Sequence, residues 1–212
     1  GVFLSDDKKN ITRDGKVLVS IDDDIIFNFF KTKSQLCDSS NIDSNVGRKI
    51  FCENKDVFRS QTRFKSIAVS NDEMKVGFTL ESDTLSPDTV VGIFYPNNIT
   101  NKVAMLSNYY LGNEFIGFSP NSVNFVYKGG CFEAKCAFYI KDSDTLQDRV
   151  DFIPKEADAR GDYEFVRWVT DTEIEYKAGG ETKKASLVTQ VKEEGRIAAG
   201  YVSGKVSIGP FC

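Results

Sequence analysis

A chain of 212 residues, 41% hydrophobic and 12% aromatic, is long enough to bury a full core as one domain or two. Its net charge of −4 and pI near 5.1 leave no electrostatic footprint for nucleic acid, and no apolar run approaches the roughly 18 residues of a membrane span. Histidine is absent, which removes the usual general base, the Ser-His and Cys-His nucleophile pairs and the commonest metal ligand.

The chain starts at Gly1 rather than Met, the pattern left when a leader or a longer parent chain is cut away. Asn10-Ile11-Thr12 matches a glycosylation sequon, as does Asn98-Ile99-Thr100, so Asn10 and Asn98 are candidate acceptors. A first unit, about 14–60, is expected to run up a strand through Val17 and Val19. It turns at Ile21-Asp22-Asp23-Asp24 and returns through Phe27 and Phe29. The three adjacent carboxylates lack the spaced pattern of a calcium loop and read as a solvated turn. A Ser/Asn/Asp-rich loop follows, and residues 49–52 read as a returning strand.

The second unit, about 61–110, has strands expected near 66–69 and 74–80, a polar crossover, a third strand at 90–95 and a fourth at 102–106. Tyr109 and Tyr110 then sit in a connector, where a rigid scaffold commonly presents contact residues. The third unit, about 111–160, opens with the hairpin FIGFSPNSVNFVY at 115–127, continues through a strand at 136–140 and ends near 149–153. Asp142, Asp144 and Asp148 do not have the spacing of a known metal loop, so a turn is expected there. The connector beyond holds Arg160-Gly161-Asp162, a second candidate contact. The fourth unit, about 161–212, begins FVRWV and EIEYKAGG and ends in extended Gly/Ala-rich chain. One terminus is expected to complete the sheet begun by the other, which would remove an exposed edge. No helix is signalled beyond a turn at 141–149 or 154–160.

Self-similarity is the strongest signal. Phe29, Phe78, Tyr127 and Tyr176 are all aromatic and successively 49 residues apart, with Phe27, Val76, Phe125 and Ile174 two residues upstream. Across each turn Val19, Val69, Phe118 and Trp168 keep spacings of 49 or 50, preceded by Val17, Ile67, Ile116 and Val166. A fixed period of this size marks a repeat architecture, and the alternation makes each repeat a small antiparallel sheet. FSPNSVNFVY and VSNDEMKVGF resemble the repeat of TolB-type and related WD-like β-propellers, in which a Ser-Pro-Asp-Gly turn precedes an apolar strand. The first and fourth copies lack the Ser-Pro pair, so the resemblance covers the two central units. It implies a fold and no catalytic residues.

The five cysteines form no paired C-x-x-C zinc motif. Cys131 and Cys136 flank FEAK at a hairpin tip, and Cys37 and Cys52 bracket the polar loop of the first unit. Both pairs read as disulfide staples in an oxidising compartment. Two bridges and one free thiol from five cysteines allow 5 × 3 = 15 patterns. Cys212 is the odd one and a candidate for self-association.

The expectation is an all-β chain, 1–212, of four blade-like antiparallel sheets in the manner of a β-propeller, with a β-sandwich as the alternative. It would be secreted or face the cell envelope and act without cofactor or metal as a binding or structural module for a protein or glycan. Two rivals stand beside this: a self-assembling surface or fibre subunit, and a carbohydrate-active enzyme working with two carboxylates.

Overall fold

Ser5, Ser70 and Ser119 each open a turn built the same way. The serine hydroxyl accepts the N–H five residues on, from Asn10, Lys75 and Asn124, at 2.9, 3.0 and 2.9 Å. The side chain two residues on, Asp7, Asp72 or Asn121, accepts the N–H of Lys9, Met74 or Val123. The residue after that, Lys8, Glu73 or Ser122, takes a left-handed backbone with φ of 58°, 57° and 63°, the place where glycine is easiest. The first unit's turn is therefore LSDDKKN at residues 4–10, not IDDD at 21–24.

The computed structural model describes residues 1–34, 45–83, 89–98, 103–107, 112–154, 162–189, 200–203 and 212. Among them the chain is mostly β, in four antiparallel sheets, none of which closes on itself. The first sheet holds β1 (Val2–Leu4), β2 (Asn10–Arg13) and β3 (Lys16–Ser20). Two helices follow, α1 (Asp23–Ser34) and α2 (Asn45–Gln61). The second sheet contains β4 (Thr62–Val69), β5 (Val76–Ser82), β6 (Thr89–Phe94) and β7 (Val103–Ser107) in spatial order 4-5-6-7, and the late strand β14 (Gly200–Ser203) pairs with β7. The third sheet is β8 (Glu114–Phe118), β9 (Asn124–Phe132) and β10 (Lys135–Asp142). The fourth is β11 (Tyr163–Trp168), β12 (Glu173–Ala178) and β13 (Glu181–Ser186). In the first, third and fourth sheets the second and third strands join through two residues with positive φ: Asp14-Gly15, Glu133-Ala134 and Gly179-Gly180. Two-residue loops of this kind match the twist of a tight hairpin.

Two expectations fail in the first unit. Residues 27 and 29 lie on α1, and residues 49–52 lie on α2, so neither stretch is a strand. Asp22 caps α1, its carboxylate accepting the Ile25 N–H at 2.9 Å, and Asp23 and Asp24 stand in the first turn where the helix dipole favours anions. Ile25, Ile26, Phe29 and Phe30 then recur at helical spacing and are all buried. Asp23 is paired with Lys55 and Arg59 on α2. The C-terminus of α2 is capped from the first turn, where the Lys9 ammonium donates to the carbonyls of Arg59, Ser60 and Thr62.

The sheets pack face to face through three apolar clusters. Ile11 and Val19, the α1 residues, Phe51, and one face of the second sheet (Phe64, Val76, Phe78, Leu80) form the first. The opposite face, Val91, Ile93 and Leu106, meets Phe115, Phe125 and Tyr127 of the third sheet. The third sheet's other face, Val126, Phe138 and Ile140, meets Ile174 and Tyr176. Phe78, Tyr127 and Tyr176 thus lie on the second strands of three sheets, while Phe29 does not. The approach of the second and third sheets depends on Gly77, where a Cβ would stand 2.1 Å from the Phe115 ring.

Cysteine pairing needs one correction. Cys52 is bonded to Cys212, not to Cys37, and Cys37 lies outside the described residues. Cys212 is consequently engaged within the chain, which removes the hint of self-association through it. Cys131 and Cys136 are bonded to each other across the β9–β10 tip. The C-terminal strand joins the second sheet rather than completing the first.

Candidate binding groove between the third and fourth sheets

A bulge creates the groove. The pairing of β8 with β9 slips between Phe115 and Gly117, leaving Ile116 as the extra residue. A bulged residue loses its place in the alternation and is re-aimed. Ile116 is accordingly 42% exposed, although its alignment with Ile67 and Val166 suggested a core position. The same slip occurs in β11 between Phe165 and Arg167, leaving Val166 out at 39% exposure. Ile116 forms part of a groove of about 370 Å³ between the third and fourth sheets.

Glu114 and Lys128, opposite one another in register, line one side. Tyr163, Glu164 and Phe165 of β11 line the other, and Phe138 reaches the wall from β10. The tip is fixed covalently by Cys131–Cys136, and the Cys136 N–H donates to the Asp162 carboxylate at 2.9 Å. An aromatic wall with acids and one lysine around it suits a ligand with an apolar face and polar edges, such as a sugar ring or a peptide. Glu114 and Glu164 place two carboxylates in one groove.

The other acids of interest serve the turns. The Asp142 carboxylate accepts the N–H groups of Asp144 and Thr145 at 2.9 and 2.8 Å and faces Arg149 at 3.7 Å. Burial pushes this carboxyl up, but the N–H donors, the Thr145 hydroxyl and Arg149 outweigh it and hold it below the usual range. Asp72 is likewise held low: partial burial raises it, and the Ser70 hydroxyl, the Met74 N–H and Lys75 overcome that. Asp148 pairs with the buried Lys141 at 2.7 Å, and Asp144 with the buried Lys75 at 3.4 Å. Among the described residues no three metal-binding side chains are grouped to hold an ion.

Of the residues singled out in the sequence, Tyr109, Tyr110, Arg160 and Gly161 lie outside the described residues, while Asp162 borders the groove. Asn98 is exposed beside the turn after β6. Asn10 is half-buried on β2, and its side-chain oxygen accepts the Ser20 hydroxyl at 2.7 Å. Trp168 packs on Phe165 against the third cluster. Glu114, Lys128 and Glu164 carry no motif. Ile116 shares a face with Glu114 by simple alternation, and the slip after Phe115 is what lets Phe118 turn back to the core while Ile116 stays out. No helix among the described residues is long and apolar enough to cross a membrane. No family model, no curated protein and no solved structure matches the chain.

Proposed function

We propose that this chain is a non-catalytic, extracytoplasmic binding module of blade-like sheets arranged in the manner of a β-propeller, taking a protein or glycan partner in the groove between its third and fourth sheets. The observation that carries the reading is the groove itself: Ile116, left facing out at a backbone bulge, opposite Tyr163 and Phe165 and beside a disulfide-closed hairpin. A preorganised hairpin lowers the ordering cost of binding. Two disulfides support an oxidising compartment. The same turn chemistry at Ser70 and Ser119, with the Asn71 amide donating to the Pro120 carbonyl at 2.8 Å, supports successive sheets stacked in one orientation.

Glycan and peptide arrays probed with the wild-type chain and with Ile116→Asp and Tyr163→Ala test the proposal. Binding that both variants lose by about tenfold or more, a difference of about 1.4 kcal/mol, supports it. Binding that both retain moves the surface elsewhere. Glu114 and Glu164 favour a second reading, a glycosidase using two carboxylates. Turnover of a glycan that disappears in both Glu114→Gln and Glu164→Gln would establish that reading in place of the first.

A further inference from the structure

The two walls of the groove meet at the Cys131–Cys136 bridge. On one side a Cβ at Gly112, just ahead of β8, would stand 2.6 Å from Cys131 Sγ, so the backbone entering β8 lies against the sulfur. On the other side the Cys136 N–H donates at 2.9 Å to the carboxylate of Asp162, the residue before β11. Ile116 lines the groove from the first of these strands, and Tyr163 and Phe165 line it from the second.

The tip that makes both contacts is not held by the strand pairing below it. Register pairs from Gly129–Ala137 to Asn124–Asp142 join β9 to β10 without it. Above them Gly130 and Cys131 stand opposite Cys136 alone, a bulge, and the pair Phe132–Lys135 closes a two-residue turn. Gly130, Glu133 and Ala134 are left-handed, with φ of 60°, 47° and 64°. Glycine takes that conformation freely, whereas Glu133 and Ala134 hold it against a clash of Cβ with the backbone. The sulfur bridge is the covalent constraint that spans these residues. Cys131 and Cys136 are only half-buried and residues 133–135 between them are exposed, so a reductant can reach the bond.

We infer that Cys131–Cys136 is a redox latch on the groove: oxidised, it holds both walls in place, and reduction by a dithiol releases them without unfolding the sheet. One thiolate of the dithiol attacks a latch sulfur, forming a mixed disulfide and expelling the other cysteine as a thiolate. The second thiol of the reductant then displaces the first cysteine. Two electrons and two protons thus pass from the dithiol, which leaves as a disulfide, to Cys131 and Cys136, which end as thiols. Freed of the bridge, residues 130–136 leave their left-handed turn, and Asp162 loses the fixed N–H that anchors the start of β11. The effect on binding rests on the groove reading given above; the opening of the tip does not.

Amide shifts and hydrogen exchange of the full ¹⁵N-labelled chain, with and without dithiothreitol, test it beside the double variant Cys131→Ser/Cys136→Ser. Reduction is expected to speed exchange of the Cys136 amide about tenfold or more and to move the amides of Gly130, Ala134, Asp162 and Tyr163. Those of Val126, Ile140 and Tyr176 should stay in place. The double variant should show the same pattern without reductant and no further change at these positions with it, which separates the latch from Cys52–Cys212. Loss of the fold in the double variant, unmoved Asp162 and Tyr163 amides after reduction, or a bridge that stays closed in excess dithiothreitol overturns the inference. Any ligand of the groove should bind the double variant about tenfold more weakly or worse. Moved tip amides with no ligand for either form would support the latch and count against the groove reading. A ligand lost in Ile116→Asp yet held equally by the wild type and the double variant would overturn the latch.

Discussion

The Ser122 hydroxyl accepts the Asp72 N–H at 3.2 Å, so the turn of the third sheet is bonded directly to the turn of the second. Lys75 adds to the joint, its buried ammonium donating to the Ser122 carbonyl at 3.1 Å. The polar turns therefore do more than reverse the chain: they set one sheet beside the next.

Disturbing one such turn should read out as stability. Ser70→Ala removes the acceptor of the Lys75 N–H and the donor to Asp72, a cost of about 1–2 kcal/mol for a hydrogen-bonded group that is mostly buried. Glu73→Gly relieves a left-handed backbone at φ 57° and should raise stability by up to about 1 kcal/mol. Urea unfolding of both variants checks the pair. A destabilised Glu73→Gly would mean that the side chain, not the backbone, holds the turn.

Tyr127 is fully buried and its hydroxyl has no hydrogen-bond partner. Burial, with smaller contributions from Tyr139 and Asp148, keeps that phenol protonated far above its ordinary range. Tyr127→Ala is expected to cost about 3–5 kcal/mol, as for buried aromatics generally. Tyr127→Phe should instead stabilise by about 1 kcal/mol, because it removes a polar atom that burial leaves unpaired. A loss of stability in the Phe variant would show that the hydroxyl has a partner, most simply a bound water.

The two disulfides should differ in weight. Closing a loop across a sequence separation of 160 removes far more unfolded-state freedom than closing one across 5. In the chain-entropy model the figures are about 5 and about 2 kcal/mol. Cys212→Ser should thus lower the unfolding midpoint more than Cys136→Ser. Non-reducing peptide mapping should recover a Cys52–Cys212 linked fragment, and recovery of Cys37 linked to Cys52 would reject the pairing.

Acid should weaken the turns. The carboxyls of Asp72 and Asp142 are lower in the folded chain than in the unfolded one. Their contribution is complete above the unfolded value near about 3.9 and is lost as pH falls through the folded values. Stability should therefore be flat from about pH 7 to 5 and fall below about pH 4. Asp142→Asn should show a shallower fall over that acid range in urea titrations at stepped pH. An unchanged slope would count against the assignment.

Legibility in the sequence followed locality. The hairpin at residues 115–127 was readable because its alternation and its turn are adjacent, and β4–β7 lie close to the strands expected for the second unit. The first unit misled because two helices stand between its sheet and the second. They put Ser5 65 residues before Ser70, while Ser70 and Ser119 are 49 apart. The turn at Ser5, built like those at Ser70 and Ser119, thereby stands out of the 49-residue period, and an aromatic of α1 falls in the place that period marks. Asp22-Asp23-Asp24 followed by Ile25, Ile26, Phe29 and Phe30 carried a helix start, but i, i+2 matches at Phe27 and Phe29 competed with it. The groove was hidden for another reason. Bulges at Ile116 and Val166 shift exposure without leaving a mark on composition.

Tension between residue 1 and Cys212 would not run along the chain. It would pass from Cys212 through the sulfur bridge into α2 at Cys52, leaving residues 53–211 as a covalent ring beside the load path. Only residues 1–52 could then be drawn out, a length of about 180 Å at about 3.4 Å per residue, against about 720 Å for all 212 residues. A reductant would release the difference. The second, third and fourth sheets are shielded from a pull that falls on the first sheet, α1 and the first half of α2.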